Sequence, residues 1–195
     1  MLKKISLHYI LFKKKPLLII RNEVAIFEDQ NFILFNLNET HYKLLKSLYT
    51  DKFVKKMLPY KVNTSSEALQ FQLKHLINQH LPNKLGFYVI YDKHKHKRIG
   101  LLGFHFKGKA NTIIELSFML RAPFRRLGLG SQICTLACSF AIQHNLNHLN
   151  AITLHNNIAA QKTLLKSGFL STGTIHHYTS KYDFVQTFFK DLRLI

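Results

Sequence analysis

The stretch Arg125-Arg126-Leu127-Gly128-Leu129-Gly130-Ser131 constrains the fold of this 195-residue chain more than any other. It follows an apolar run, Ile113 to Leu120, whose composition predicts a strand. It opens a helical pattern in which Ile133, Leu136, Ala137 and Phe140 fall on one face. Strand, glycine turn and helix start in that order make an anion cradle. Backbone N–H groups at a helix N-terminus lack intrahelical partners, and the helix dipole draws negative charge to them. Gly128 and Gly130 permit a close backbone approach, and Arg125 and Arg126 can add charge-assisted contacts to a diphosphate. Alone, Gly-x-Gly after a strand is often only a tight connection. The third glycine of a dinucleotide fingerprint is missing, and no Lys-Ser/Thr pair follows as in a P-loop.

Downstream comes a strand pattern, Leu149 to Leu154. Asn157-Ile158-Ala159-Ala160-Gln161-Lys162 follows, then a short helix ending Lys166-Ser167-Gly168-Phe169. Asn157 suits a helix N-cap and Gly168 a C-terminal stop. Taken together, Glu115 to Leu120, Arg-x-x-Gly-x-Gly at 125 to 130, Asn157-x-x-Ala160 and Lys166 to Phe169 resemble the GNAT superfamily of acetyl-CoA-dependent N-acetyltransferases. The likeness is to its Rim-type branch, which includes enzymes acetylating ribosomal-protein N-termini, and it runs in order from about Asn31 to the C-terminus. The resemblance implies an α/β (α+β) GNAT fold: a mixed, mostly antiparallel central sheet flanked by helices.

The element pattern agrees with that order. Ile5 to Phe12, Leu17 to Ile20 and Val24 to Phe27 are short apolar runs read as an added N-terminal hairpin, within an extension over residues 1–30. Strands are expected at Asn31 to Leu37, Gly86 to Tyr91, Ile99 to Phe106, Ile113 to Leu120 and 149 to 155. A final hairpin is expected from Phe169 to about Asp191. Helices are expected after Asn38 and Asp51, from Thr64-Ser65-Ser66-Glu67 with its capping-box spacing to about His80, and over 131–146 and 158–167. At this length the expectation is one domain.

Composition narrows the setting. An apolar content of 47% suits a globular protein, and no run approaches the ~20 apolar residues of a membrane span. The apolar N-terminal segment contains Ser6 and His8 and is followed by Lys13 to Lys15 and Pro16, with no cleavage-site pattern. It is therefore read as strand, and a cytoplasmic location is the expectation. Cys134 and Cys138 lie four apart on one helix with no second pair, which predicts core residues and no metal site. The 28 Lys+Arg against 10 Asp+Glu give a net charge of +18. A lysine-rich coding bias explains such a charge. So does an anionic partner, whether coenzyme A, an acidic protein, RNA or the ribosome. Polyamines and aminoglycosides, which call for clustered carboxylates, do not fit it.

The resemblance also implies roles. Backbone of Phe118, Met119 and Leu120 would line the pantetheine arm of acetyl-CoA, with Met119 or Leu120 as oxyanion donor. Arg125, Arg126, Leu127, Gly128, Leu129, Gly130 and Ser131 would hold its pyrophosphate, and Asn157 with Ala160 would orient the arm. The chain departs from its relatives at the proton-handling positions. Ala160 replaces a serine, Leu164 stands where many members carry a tyrosine, and the last hairpin lacks the glutamate of some Rim-type enzymes. Glu115 is the only carboxylate between Asp92 and Asp183, and it is the candidate base, with Tyr178 and Tyr182 as candidate acids and His105, His176 and His177 as the nearest imidazoles.

An α-amino group, with a pKa near ~8, is about a tenth neutral at pH 7, whereas lysine near ~10.4 is under ~0.1% neutral. A site without a strong base therefore favours an α-amine, and a protein or peptide N-terminus is the expected acceptor. Acetylation of aminoacyl-tRNA and a non-catalytic acyl-CoA-binding role remain the alternatives. The oligomeric expectation is a monomer or homodimer.

Overall fold

The computed structural model describes residues 19–20, 23–58, 61–79, 85–107, 113–177 and 184–194. Nine strands join in one sheet: β1 (Ile19–Ile20), β2 (Glu23–Glu28), β3 (Phe32–Asn36), β4 (Phe87–Asp92), β5 (Lys97–Lys107), β6 (Ile113–Leu120), β7 (His148–Leu154), β8 (Leu170–His177) and β9 (Phe184–Asp191). Their order is β1-β2-β3-β4-β5-β6-β7-β9-β8, and every pairing is antiparallel except β6 with β7. Five α-helices and three short 3₁₀ turns complete the described chain, the α-helices being α1 (Tyr42–Tyr49), α2 (Lys52–Met57), α3 (Ser66–Asn78), α4 (Leu129–Gln143) and α5 (Ile158–Lys166). This is the expected mixed, mostly antiparallel sheet with helices on both faces. The run Ile5 to Phe12 lies outside the described residues, while β1 and β2 form a hairpin that extends the sheet beyond β3.

Alternation along the strands sorts the core into two layers. Phe32 and Leu34 of β3, Tyr88 and Ile90 of β4 and Leu102 and Phe104 of β5 pack with α4 and Leu164 of α5. Ile33, Phe35, Phe87, Val89, Tyr91 and Leu101 face the other way, onto α1 and α3. The central strand β4 is buried on both faces, so it reads as a continuous apolar run rather than an alternating one. In α4 the small residues Cys134, Ala137, Cys138 and Ala141 bring the helix close to the sheet, where Phe140 meets Phe27, Tyr88 and Phe104 at centroid distances of 5.2, 5.0 and 6.0 Å. Both cysteines are buried free thiols of this core.

Helix punctuation follows the sequence closely. Asn38 accepts from Thr40 N–H and Asp51 from Val54 N–H. The start of α3 differs from expectation. Ser65, not Thr64, is the cap, accepting from Ala68 N–H at 3.2 Å. Adjacent hydroxyls are interchangeable in a pattern, and the backbone turn selects one. Helix α4 begins at Leu129, two residues before the predicted 131, so the second half of the glycine motif is already its first turn.

A buried charge cluster fixes the 3₁₀ turn Glu39–His41 against β2. His41 is 2% exposed, and its Nδ1 accepts from Asn38 N–H at 3.1 Å. Its Nε2 therefore carries the proton of the neutral ring and lies 2.6 Å from Glu23 Oε1. Arg98 pairs with the other oxygen of Glu23. Burial lowers the His41 pKa, Glu23 opposes that shift and Arg98 reinforces it. A second proton would also deprive Asn38 N–H of its acceptor. A folded pKa below the unfolded ~6.5 means stability is fully present above that pH and is lost as pH falls through the folded value. The urea midpoint should accordingly fall between pH 7 and pH 5, and His41→Gln should be less stable at pH 7 but less pH-sensitive over that interval.

Candidate active site

The central sheet opens between β6 and β7. Their parallel pairing is recorded at a single position, Glu115 with Asn150. Away from each other the two strands stay fully engaged. β6 pairs with β5 from Lys107↔Ile113 to Gly100↔Leu120, and β7 pairs with β9 from His148↔Asp191 to Leu154↔Val185. Beyond Glu115 and Asn150 the facing edges diverge, leaving Leu116 to Leu120 and Ala151 to Leu154 with backbone groups that no neighbouring strand pairs. Such an edge is a template for an extended ligand.

Antiparallel alternation decides which backbone groups of β6 face this opening. Arg121 N–H donates to Ile99 O at 2.9 Å. With a period of two, Met119 is directed at β5 as well, while Phe118 and Leu120 turn inward. Of the two expected oxyanion donors, the register therefore retains Leu120 N–H and gives Met119 N–H to β5. The Met119 side chain packs on the α1/α3 layer and those of Phe118 and Leu120 on the α4 layer.

The glycine turn stands at the wide end of the opening. Gly128 is the N-cap of α4 with φ +74°, and its side of the helix start carries no side-chain cap. A Cβ at Gly128 would meet nothing within 4 Å, so space for an anion lies beside a left-handed backbone. Arg126 is also left-handed, at φ +58°, and exposed. Leu127 is exposed as well, and the Ser131 hydroxyl donates to Gly128 O. Gly130 serves packing: a Cβ there would come within 3.0 Å of Thr163 Cγ2, so this glycine lets α4 and α5 meet.

Arg125 differs from its neighbours. Its guanidinium pairs with Asp51 at 2.9 Å, donates from Nε to Leu120 O at 2.8 Å and lies 5.0 Å from the Phe53 ring centroid. The side chain ties α2 to the end of β6, and what it leaves to the cradle is backbone. Asp51 is raised by burial, but the Val54 N–H and Arg125 outweigh that and hold its pKa below the ordinary value.

Across the opening, Asn157 Oδ1 accepts from Ala160 N–H at 3.2 Å as the cap of α5, leaving its amide group as donor. Leu164 is buried in the α4 layer. Tyr178 and Tyr182 lie outside the described residues. Glu115 is 13% exposed at its side chain and pairs with Lys107 Nζ at 2.9 Å. A contact the sequence pattern missed is His105 Nε2 with Ser117 Oγ, 2.7 Å apart. The hairpin register, which sets His105 opposite Glu115 and Gly103 opposite Ser117, is the signal that could have found it.

Comparison with known proteins places this geometry. The acetyltransferase (GNAT) domain family matches residues 31–170, and the chain belongs to that family. Among solved structures, RimL, a ribosomal L7/L12 α-N-protein acetyltransferase in its apo form, is 17% identical with a TM-score of 0.73. The alignment covers 90% of this chain and 99% of that one. The same enzyme with coenzyme A is 18% identical with a TM-score of 0.71, covering 86% and 97%. The ribosomal-protein-S5-alanine acetyltransferase from Vibrio fischeri is 16% identical with a TM-score of 0.67, covering 85% and 95%. At these identities the likeness shows the shared fold. No curated protein matches by sequence.

The Arg125 brace predicts a separation of effects. Arg125→Ala should lower unfolding stability by about 1–2 kcal/mol through loss of a half-buried ion pair and ring contact. Arg126→Ala should leave stability unchanged, which thermal denaturation of the two variants would check.

Proposed function

We propose that this GNAT acetyltransferase transfers the acetyl group of acetyl-CoA to an α-amino group of a protein or peptide. The observation that carries the reading is the opening between β6 and β7, with an uncapped helix N-terminus at its wide end. An extended amide-bearing arm can pair with the free edge of β6, and a diphosphate can sit at the start of α4, where Gly128 leaves room for it. Acetyl-CoA would supply the activated thioester. Phe118 and Leu120 would bind its arm through backbone groups, with Leu120 N–H polarising the carbonyl. The N–H groups of Arg126 to Ser131 would hold the pyrophosphate, the Arg126 side chain would add charge, and the Asn157 amide would orient the arm.

The acceptor class follows from how the carboxylates are spent. Glu23, Glu28, Asp51, Glu115 and Asp191 are ion-paired, and Asp29 and Asp92 accept backbone N–H groups in turns. Among the described residues only Glu39 and Glu67, at helix starts on the surface, remain. No cluster of free carboxylates is left to collect a polyamine or aminoglycoside, whereas an α-amine is already partly neutral and needs little such help. The likeness to RimL supports the same class. The net charge of +18 suits an acidic acceptor protein or one presented on RNA. Glu115, fixed by Lys107, supplies the negative charge at the proton-accepting end of the site.

Three outcomes test the reading. Gly128→Val should weaken coenzyme A binding by more than ~10-fold in calorimetry, because the branched side chain takes both the space and the φ of the cradle. Peptide N-termini should be acetylated faster than spermidine or an aminoglycoside in a kinetic panel, and the reverse ranking would overturn the acceptor class. Glu115→Gln should lower kcat by about 10²-fold with coenzyme A affinity unchanged, and the deficit should shrink as pH rises and more amine arrives neutral.

A further inference from the structure

Three side chains on one sheet face have no structural duty that accounts for all of them. His105, Glu115 and Ser117 project from β5 and β6 toward the α1/α3 layer. The register sets His105 directly across from Glu115 and diagonally from Ser117. His105 Nε2 lies 2.7 Å from Ser117 Oγ, a hydrogen-bond distance. The imidazole is held from behind by Phe87 of β4, edge-on at 4.9 Å between centroids and 86° between planes. Phe87 can lie there because position 103 is glycine: a Cβ would come within 2.3 Å of the ring. Glu115, anchored on Lys107, faces the imidazole from the neighbouring strand. Ser117 is the first residue on this face past the last β6–β7 pair, so it stands at the inner end of the opening and is partly exposed.

We infer that Ser117 and His105 form the route by which the acceptor amine loses its proton, with Glu115 as the counter-charge behind the imidazole. The inference rests on the acetyl-transfer reading above and names the group that serves it. In the neutral tautomer that accepts at Nε2, the Ser117 hydroxyl donates to His105 and keeps a lone pair turned outward. As the amine nitrogen bonds to the acyl carbon, its N–H bond breaks and the proton passes to Ser117 Oγ. The Oγ proton moves to His105 Nε2, and the electron pair of the cleaved C–S bond leaves on sulfur. The resulting imidazolium sits beside the Glu115 carboxylate, and its proton returns through Ser117 to neutralise the sulfur or reach solvent. Ser117 is the catalytic residue of this route, and His105 acts through it.

The charge state suits the role. Burial lowers the His105 pKa, Glu115 opposes the shift and Lys107 reinforces it. These are the charged groups acting on the ring among the described residues, and Phe87 is its neighbour from β4. The imidazole is therefore neutral and able to accept at pH 7. Ala160 and Leu164, at the positions where the resemblance implies a serine and a tyrosine, carry no hydroxyl, and the proton returned through Ser117 takes the place of theirs.

Steady-state kinetics on a peptide acceptor, with coenzyme A binding measured in parallel, test the route. Ser117→Ala should reduce kcat ~10–100-fold with coenzyme A affinity and melting temperature unchanged, and Ser117→Thr should restore kcat to within about fivefold. The kcat–pH profile of the wild type should carry an acid limb below pH ~6.5 that Ser117→Ala loses. His105→Gln should behave as Ser117→Ala does. It packs on Phe87, so the near-isosteric serine variants decide the matter if it fails to fold. Wild-type kcat and profile in Ser117→Ala would overturn the route alone. A wild type that binds coenzyme A but acetylates no peptide would overturn the route together with the acceptor reading.

Discussion

The pairing of β6 with β7 at Glu115↔Asn150 alone is the constraint on which the rest of the molecule depends. Among the described residues it is the only parallel junction in a sheet that is otherwise antiparallel, and the chain crosses it by way of α4. A parallel crossover needs a helix on one face. That helix delivers the glycine turn to the end of the opening. Had β6 and β7 paired along their full length, Leu120 N–H would have been consumed in a ladder and the α4 N-terminus would look onto a closed sheet. The divergence is stable because each strand is satisfied on its outer edge, β6 by eight register pairs with β5 and β7 by seven with β9.

Packing around the opening is arranged to hold it at a fixed width. Gly130 brings α4 to within contact of Thr163 on α5, which follows β7, so the helices on one face clamp the two arms. On the other face Arg125 joins Leu120 O and Asp51, fastening the end of β6 to α2. A positioning site depends on such rigidity, because misplacement of the reacting groups by about 1 Å can cost ~10²-fold in rate.

A chain with so few carboxylates uses them with little redundancy. Seven of them fix turns or neutralise a specific cation within the fold. Among the described residues no lysine is buried, so the excess positive charge of the fold is carried at its surface. Glu115 is the carboxylate that shares a sheet face with the His105–Ser117 pair.

The sequence by itself determined the family, the element order and the glycine turn that opens α4. The signals for those are local: a strand composition, two glycines and caps at Asn38, Asp51 and Asn157, each acting over a few residues through backbone geometry. Even there, the pattern marked Thr64 where the turn chose Ser65. Tertiary structure alone decided the roles that depend on direction. Arg125 and Arg126 are equivalent in sequence, yet one is spent on Asp51 and Phe53 while the other is exposed at the turn. Met119 and Leu120 are adjacent, and only the β5 register shows which backbone group looks inward. Ser117 and His105, twelve positions apart, become partners only when the hairpin closes in that register. A one-residue slip would send the two side chains to opposite faces, which is why composition and spacing could mark the glycine turn but not the His105–Ser117 contact.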